Sequence, residues 1–318
     1  MLDFNKIKTQ SAFGRLNLVT AENLLRPEKV SDIPDWDPPG FGELISRILA
    51  AKKNKRPIIF SMGAHVIKNG LSLYLIEMMK NGFITHVSSN GAGSIHDFEL
   101  AFLGGTSEDV PTAIEDGSFG MWEETGLWMN DAIKTGAAKK IGYGESLAEY
   151  IDANQKKFPH KEICILYRAH KLGIPCTYHI ALGTDIIHQH PSADFAAIGY
   201  TSGEDFKKMC ESVSQLDGGV FLNFGSAVIG PEVFLKALSI SRNLGYKTFE
   251  ITTANFDLID LGDYTKKIGY DDPNYYYRPR KNIVNRPVSM GGRGFHFTVD
   301  HKISIPNLYK KLKREINS

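Results

Sequence analysis

Pro57-Ile-Ile-Phe-Ser-Met62 and His86-Val-Ser-Ser89 are short apolar runs of strand length, separated by a glycine turn and an amphipathic stretch over about 67–81. Runs this short and continuous suit strands buried on both faces, as in parallel sheets. The second run opens onto Asn90-Gly-Ala-Gly-Ser-Ile-His-Asp97, where small residues lead into another helix. Strand, helix, strand and helix in that order predict a parallel sheet with helical crossovers.

The pattern extends in both directions. Upstream, Phe41, Leu44, Ile45, Ile48 and Leu49 predict a helix over about 41–53. Downstream, Pro175–Tyr178, Gly219–Asn223 and Thr248–Thr252 read as strands. Helices are expected over about 144–157, over about 203–215, and from Glu232 to Leu244, the last closed by Gly245. Cys164–Tyr167 reads as a helical segment and Phe195–Ile198 as a strand or buried turn. Residues 104–143 are rich in glycine and acid and read as an insertion or lid. The expectation is an α/β fold, a Rossmann-like, doubly wound, mostly parallel sheet flanked by helices. An N-terminal arm at 1–40, containing the proline-rich, acidic Asp32–Gly40, precedes one domain at 41–318. The arm's Pro and Trp content predicts packing on a neighbouring subunit.

Composition narrows the function classes. Thirty-seven basic residues against 36 acidic ones leave a net charge of +1, which argues against a nucleic-acid surface. No run approaches the length of a membrane span, and Met1–Gln10 lacks the apolar core of a signal peptide. Cys164, Cys176 and Cys210 fit neither a disulfide framework nor a zinc site, which predicts reduced thiols in a cytoplasmic protein.

In a doubly wound sheet, ligands sit at the carboxyl ends of the strands. Three loops there share small residues: Ser61–Gly70, Ser88–Ser94 and Asn223–Gly230. Glycine lets a phosphate approach the backbone, and helix N-termini favour anions. Neither GxGxxG nor a P-loop occurs. A fourth strand end, Ile251-Thr-Thr-Ala-Asn-Phe-Asp257, is followed by Asp260 and Asp263, which suit ribose hydroxyls, a cationic substrate or a solvated turn. His179, Asp185, His188 and His190 form a group that reads either as metal ligands of a hydrolase or as ordinary core and surface histidines. Tyr275-Tyr-Tyr-Arg-Pro-Arg-Lys-Asn-Ile283 is a basic, aromatic loop that suits a phosphate-binding or interface role, and Gly291-Gly-Arg-Gly294 reads as an anion nest or a turn.

The order of these loops resembles the deoxyhypusine synthase family over about 57–310, four fifths of the chain. Ser88-Ser-Asn-Gly-Ala92 resembles the family's Thr-Thr-Ala-Gly-Gly turn. Ile174-Pro175 through Asp185 is similar to its Ile-Pro…Ala-Leu-Thr-Asp segment, and Phe221–Gly230 to its glycine-rich strand end. Thr253-Ala-Asn-Phe-Asp257, with Asp260, is similar to its Thr-Ala-Gln-Glu-Phe-Asp motif.

The resemblance implies a homotetramer that binds NAD and moves the aminobutyl group of spermidine, or a related aminoalkyl group, to an acceptor amine such as a protein lysine, as in hypusine formation. It implies an NAD site of Gly63, Ala64, Ser88, Ser89, Asn90, Gly91, Asp185, Gly225, Ser226, Thr253, Ala254, Asp257 and Asp300. Polyamine contacts fall on His96, Asp97, His190, Asp260 and Tyr277. A lysine captures the oxidised donor as an imine. The family's Trp-Gly-Lys is absent, and Lys281 is nearest by position. Arg278 and Arg280 stand close in sequence, and nearby positive charge favours the neutral lysine that a nucleophile needs. The polyamine-contacting histidine after the glycine-rich strand is also absent, so the departures fall on the substrate side. A homospermidine synthase-like enzyme, a metal-dependent hydrolase and a non-catalytic NAD-binding protein are the alternatives.

Overall fold

The computed structural model describes residues 2–266 and 268–314. Its centre is a six-stranded, all-parallel sheet. The strands are β1 (Ile58–Met62), β2 (His86–Asn90), β3 (Cys176–His179), β4 (Val220–Phe224), β5 (Thr252–Asp257) and β6 (Arg293–Thr298). Their spatial order is β3-β2-β1-β4-β5-β6. The chain builds outward from β1 in one direction, then returns to β1 and builds outward in the other. The strand order therefore reverses between β1 and β4, where the following helices leave on opposite faces and open a crevice.

Helices α1 (Phe41–Lys53), α2 (Ser72–Lys80), α3 (Gly91–Leu103), α4 (Glu123–Lys139), α5 (Tyr143–Ala153), α6 (Ile165–Lys171), α7 (Phe195–Ser214), α8 (Ile229–Asn243) and α9 (His301–Arg314) surround the sheet. Local chemistry sets their starts. Asn90 opens α3 by accepting from the Gly93 amide at 3.0 Å, and Gly104 ends it at φ +64. Asp194 opens α7 by accepting from the Ala197 amide at 3.0 Å.

The two faces of the second half-sheet carry different chemistry because each strand ends on a polar–aromatic pair. Asn223-Phe224, Asn255-Phe256 and His296-Phe297 lie in register on β4, β5 and β6. Successive side chains point to opposite faces. Phe224 stacks on Phe256 at 4.2 Å and Phe256 on Phe297 at 5.0 Å, within the core that includes Phe41 and Ile305. On the other face Asn223 Nδ2 donates to Asn255 Oδ1 at 2.7 Å, and Asn255 Nδ2 meets His296 Nδ1 at 3.0 Å. His296 Nε2 reaches the Ile259 carbonyl at 2.8 Å.

Several expectations need correction. Phe195–Ile198 is the first turn of α7, because Asp194 caps it. The strand expected at Thr248–Thr252 begins at Thr252 and runs through the motif taken for its loop. Arg293–Thr298, read partly as an anion nest, is β6. Residues 104–143 hold the 17-residue α4, whose Met129, Ala132 and Ile133 are buried in a second core cluster. The arm's packing on a neighbouring subunit stays an expectation, its Phe13, Leu16 and Leu18 being exposed; within the chain Glu124 accepts from Ser11 Oγ and the Ala12 amide, Val19–Thr20 pairs with Gly105–Thr106, and Asn307 ties down Pro34 and Trp36.

Candidate functional site

Two clusters form at the carboxyl ends of the strands, one on each side of the reversal. At the reversal itself, the Gly63 amide donates to the Phe224 carbonyl at 2.9 Å. A Cβ on Gly63 would stand 2.8 Å from the Gly225 carbonyl oxygen, so glycine is needed for the two loops to touch. Gly225 turns at φ +66, in the left-handed region. Ser226 Oγ accepts from the Gly230 amide at 2.9 Å, Pro231 carries no amide hydrogen, and the Glu232 amide donates to the Val228 carbonyl at 3.0 Å, which leaves the Ile229 amide of the first turn of α8. Beneath this loop Asn223 Oδ1 is buried without a hydrogen-bond partner.

The β1–β3 side carries a cavity of about 210 Å³. Lys68 reaches it from the turn after β1, His96 and Glu99 from α3, Glu108 from the segment after α3, and Thr184 and Asp185 from the loop after β3. Arg15 closes it from the arm. Arg15 and Glu99 form a buried bidentate pair at 2.8 and 2.7 Å. Glu99 also accepts from Thr106 and Thr125 hydroxyls at 2.6 and 2.9 Å. Glu108 accepts only uncharged donors, the Gly120 amide at 3.1 Å and Trp122 Nε1 at 2.9 Å, and burial raises its pKa. His96 Nδ1 pairs with Thr106 Oγ1 at 2.7 Å, and burial lowers its pKa to about 4, so it is neutral at pH 7.

Asp185 is the least satisfied group of the cavity. It is 8% exposed, and its Oδ2 has no hydrogen-bond partner. A Cβ on Gly91 would fall 1.8 Å from that oxygen, so glycine at the start of α3 gives the carboxyl its place. His188 Nδ1 accepts amides from Gly183 and Asp185 at 3.1 and 3.2 Å, which puts the proton on Nε2. That Nε2 stands 3.9 Å from Asp185 Oδ2, beyond hydrogen-bond reach, and it too is unpartnered. Burial raises the Asp185 pKa to about 6.

The other residues singled out in the sequence scatter. Asn90 caps α3, and Ser88 and Ser89 are buried in β2, where Ser89 Oγ donates to the Met62 carbonyl at 2.9 Å. Ala64 follows Gly63 at the reversal. Thr253 and Ala254 are fully buried inside β5, with Thr253 Oγ1 donating to the Ile283 carbonyl at 2.6 Å. Asp97 is also withdrawn from any ligand: it accepts from the Ile165 and Leu166 amides at 3.0 and 2.7 Å and from Cys164 Sγ at 3.2 Å, capping α6. His190 is committed on both nitrogens, to Ser192 and to Glu123. Among the described residues no group of three His, Cys, Asp or Glu side chains converges as metal ligands.

On the β4–β6 side Tyr277 donates its hydroxyl to Asp257. Asp260 is exposed and accepts from the Gly262 amide at 2.8 Å, and Asp300 accepts from the Lys302 amide at 2.7 Å. Lys281 lies over the Tyr275 and Tyr276 rings at 5.6 and 5.2 Å. Arg278 turns to Glu232 at 2.9 Å, and buried Arg280 donates to the Lys266 carbonyl at 2.7 Å, so neither faces Lys281 as a bare charge. Lys68, Glu99, Glu108 and Arg15 escaped the sequence reading. Glu99 had one visible signal, a lone acid inside the apolar run Phe98-Glu-Leu-Ala-Phe102.

A larger cavity, about 330 Å³, opens at the opposite end of the sheet beside Cys176. Its Lys208 and Glu145 pair with each other, and none of the unpartnered buried atoms belongs to its lining. The smaller cavity is therefore the better ligand site.

No family model matches this sequence, and no curated protein matches it. Solved structures do. A conserved LOR/SDH-class protein from Methanococcus maripaludis S2 superposes with a TM-score of 0.51 at 15% identity, over 90% of this chain and 71% of that one. Unliganded AgrE superposes with a TM-score of 0.50 at 11% identity, over 86% of this chain. This chain spans about a third of AgrE, 32% of its length. A further AgrE structure, a ternary complex with ornithine and NAD+, gives a TM-score of 0.49 at 11% identity, over 86% of this chain and 32% of that one. At such identities the likeness is one of fold. None of these matches is a deoxyhypusine synthase, and the shared element is the α/β architecture.

Proposed function

We propose that the protein is an NAD-dependent enzyme acting on a small amine. The observation that carries this reading is the strand order. Its reversal between β1 and β4 brings two glycine loops into contact, and the β1–β3 side carries a cavity whose Asp185 and Glu108 carboxyl groups bond to no Lys or Arg. Gly225, Ser226 and the Ile229 amide would hold phosphates, and Gly63 and Ala64 would border them. The unpartnered Asn223 Oδ1 and the left-handed Gly225 fit such a group. Asp257, positioned by Tyr277, would accept from a ribose hydroxyl. NAD bound there would accept a hydride from the carbon beside the amine and could return it.

The chain's own residues do the rest. Asp185 and Glu108 bind ammonium groups, and the buried Arg15–Glu99 pair fixes the shape of the cavity wall. The finer reading follows the deoxyhypusine synthase resemblance: aminoalkyl transfer from a polyamine through a lysine imine, in a homotetramer, with Lys281 as nucleophile. Support for Lys281 is its position after the Asp257 strand and its tyrosine walls, whose faces suit cations.

The test is calorimetric titration with NAD and NADH, followed by mass spectrometry of products from NAD and a panel of amines. Binding at micromolar to millimolar NAD, and an amine-dependent absorbance of reduced nicotinamide, are expected. No NAD binding at millimolar concentration ends the cofactor reading. Borohydride trapping on a lysine other than Lys281, or full turnover by Lys281→Ala, ends the finer one.

A further inference from the structure

The charges around the cavity specify more than an amine. Arg15 and Glu99 neutralise each other across their two short bonds. His96 makes its one bond to a hydroxyl. That leaves Glu108, held by an amide and an indole, and Asp185, whose Oδ2 is bound by nothing. It also leaves Lys68, half-buried at the cavity and without a hydrogen bond or ion pair to any described side chain. Two carboxyl groups without a cation and one ammonium without an anion border one cavity. A ligand that complements them carries two ammonium groups and one carboxylate.

We propose that the cavity binds a diamino monocarboxylic acid, with Lys68 on its carboxylate and Asp185 and Glu108 on its ammonium groups. A plain diamine or polyamine satisfies the two acids but leaves Lys68 facing another positive charge. A simple monoamino acid satisfies Lys68 but leaves one acid bare. This inference rests on the reading of the cavity as the amine site, not on the polyamine of the finer reading, which it replaces with an amino acid. It needs no NAD, so it is tested without NAD, and loss of NAD binding is scored in a separate titration.

The experiment is calorimetry on the full chain with three probes: ornithine, putrescine (the same chain without the carboxylate) and norvaline (without the side-chain ammonium). Ornithine should bind at least about tenfold more tightly than either of the others, the worth of one charge-assisted contact. Lys68→Met should bring ornithine down to the putrescine level and leave putrescine unweakened. Asp185→Asn should weaken both. The comparison of probes on the unaltered protein stands even if a variant folds poorly. Equal binding of ornithine and putrescine, no binding of either, or an unchanged ratio in a folded Lys68→Met protein would overturn the proposal.

Discussion

The strand ends of β4, β5 and β6 and those of β1, β2 and β3 use similar polar side chains in opposite ways. In the first group the side chains answer one another. Asn223, Asn255 and His296 form a ladder that ends on a backbone carbonyl, and Tyr277 closes over Asp257. In the second group Asp185 Oδ2 and His188 Nε2 face each other across 3.9 Å without bonding, and Lys68 and Glu108 find no charged partner. Buried polar groups are ordinarily paired. The ladder itself is framework, while the Asn223 oxygen and His301 Nδ1 beside the Gly225 loop stay unpartnered where the proposed cofactor would sit. The unsatisfied half is organised around something not part of the chain.

Substitutions can break this contrast. The largest effect is expected at the cavity wall. Arg15 and Glu99 side chains are 3% and 1% exposed, so Arg15→Ala strands a buried carboxylate and should destabilise the fold by about 3–5 kcal/mol in urea unfolding. Within the ladder, Asn255→Leu strands one Asn223 Nδ2 hydrogen, the other still reaching the Ser226 carbonyl, and a ring nitrogen of His296, which should cost about 2–4 kcal/mol. If Asn255→Leu were neutral, the claim that the ladder is framework would fail.

Much of the fold was legible because burial on both faces leaves continuous apolar runs. Ile58–Met62 and Val220–Phe224 are such runs, and both were found close to their true bounds. The reading slipped at Thr252–Asp257 and Arg293–Thr298, where polar residues sit inside strands because the ladder satisfies them. Local polarity then looks like a loop, and the compensating partner lies on another strand. The cavity was less legible for a related reason. His96, Asp185 and Lys68 belong to recognisable loops, although nothing in Ser61–Gly70 marks Lys68 itself, and Glu108 and Arg15 come from a supposed lid and the arm. Only the folded chain brings them together. Asp97 misled in the opposite sense, since an acid beside a glycine loop resembles a ligand contact when its partners, 68 and 69 residues away, are not visible.

Asp97 and Asp185 make the sharpest pair. Burial raises both carboxyl pKa values to about 6, so titration alone does not separate them. Their partners do. Asp97 accepts from two amides and a thiol, and Asp97→Asn should destabilise the protein by about 1–3 kcal/mol, because an amide turns donors against donors.

Asp185 tests the central claim, that its charge is held for a ligand and not for the fold. Its folded pKa of about 6 lies above the ordinary 3.8, so the folded state favours the protonated form. The penalty is absent below about pH 4, grows as pH rises, and is complete above about pH 6. Thermal unfolding of Asp185→Asn against the unaltered protein, without ligand, should therefore show a gain of about 1–3 kcal/mol at pH 8 that fades by pH 4. A loss of stability at pH 8, as expected for Asp97→Asn, would mean that Asp185 is a structural cap like its counterpart and would contradict the account.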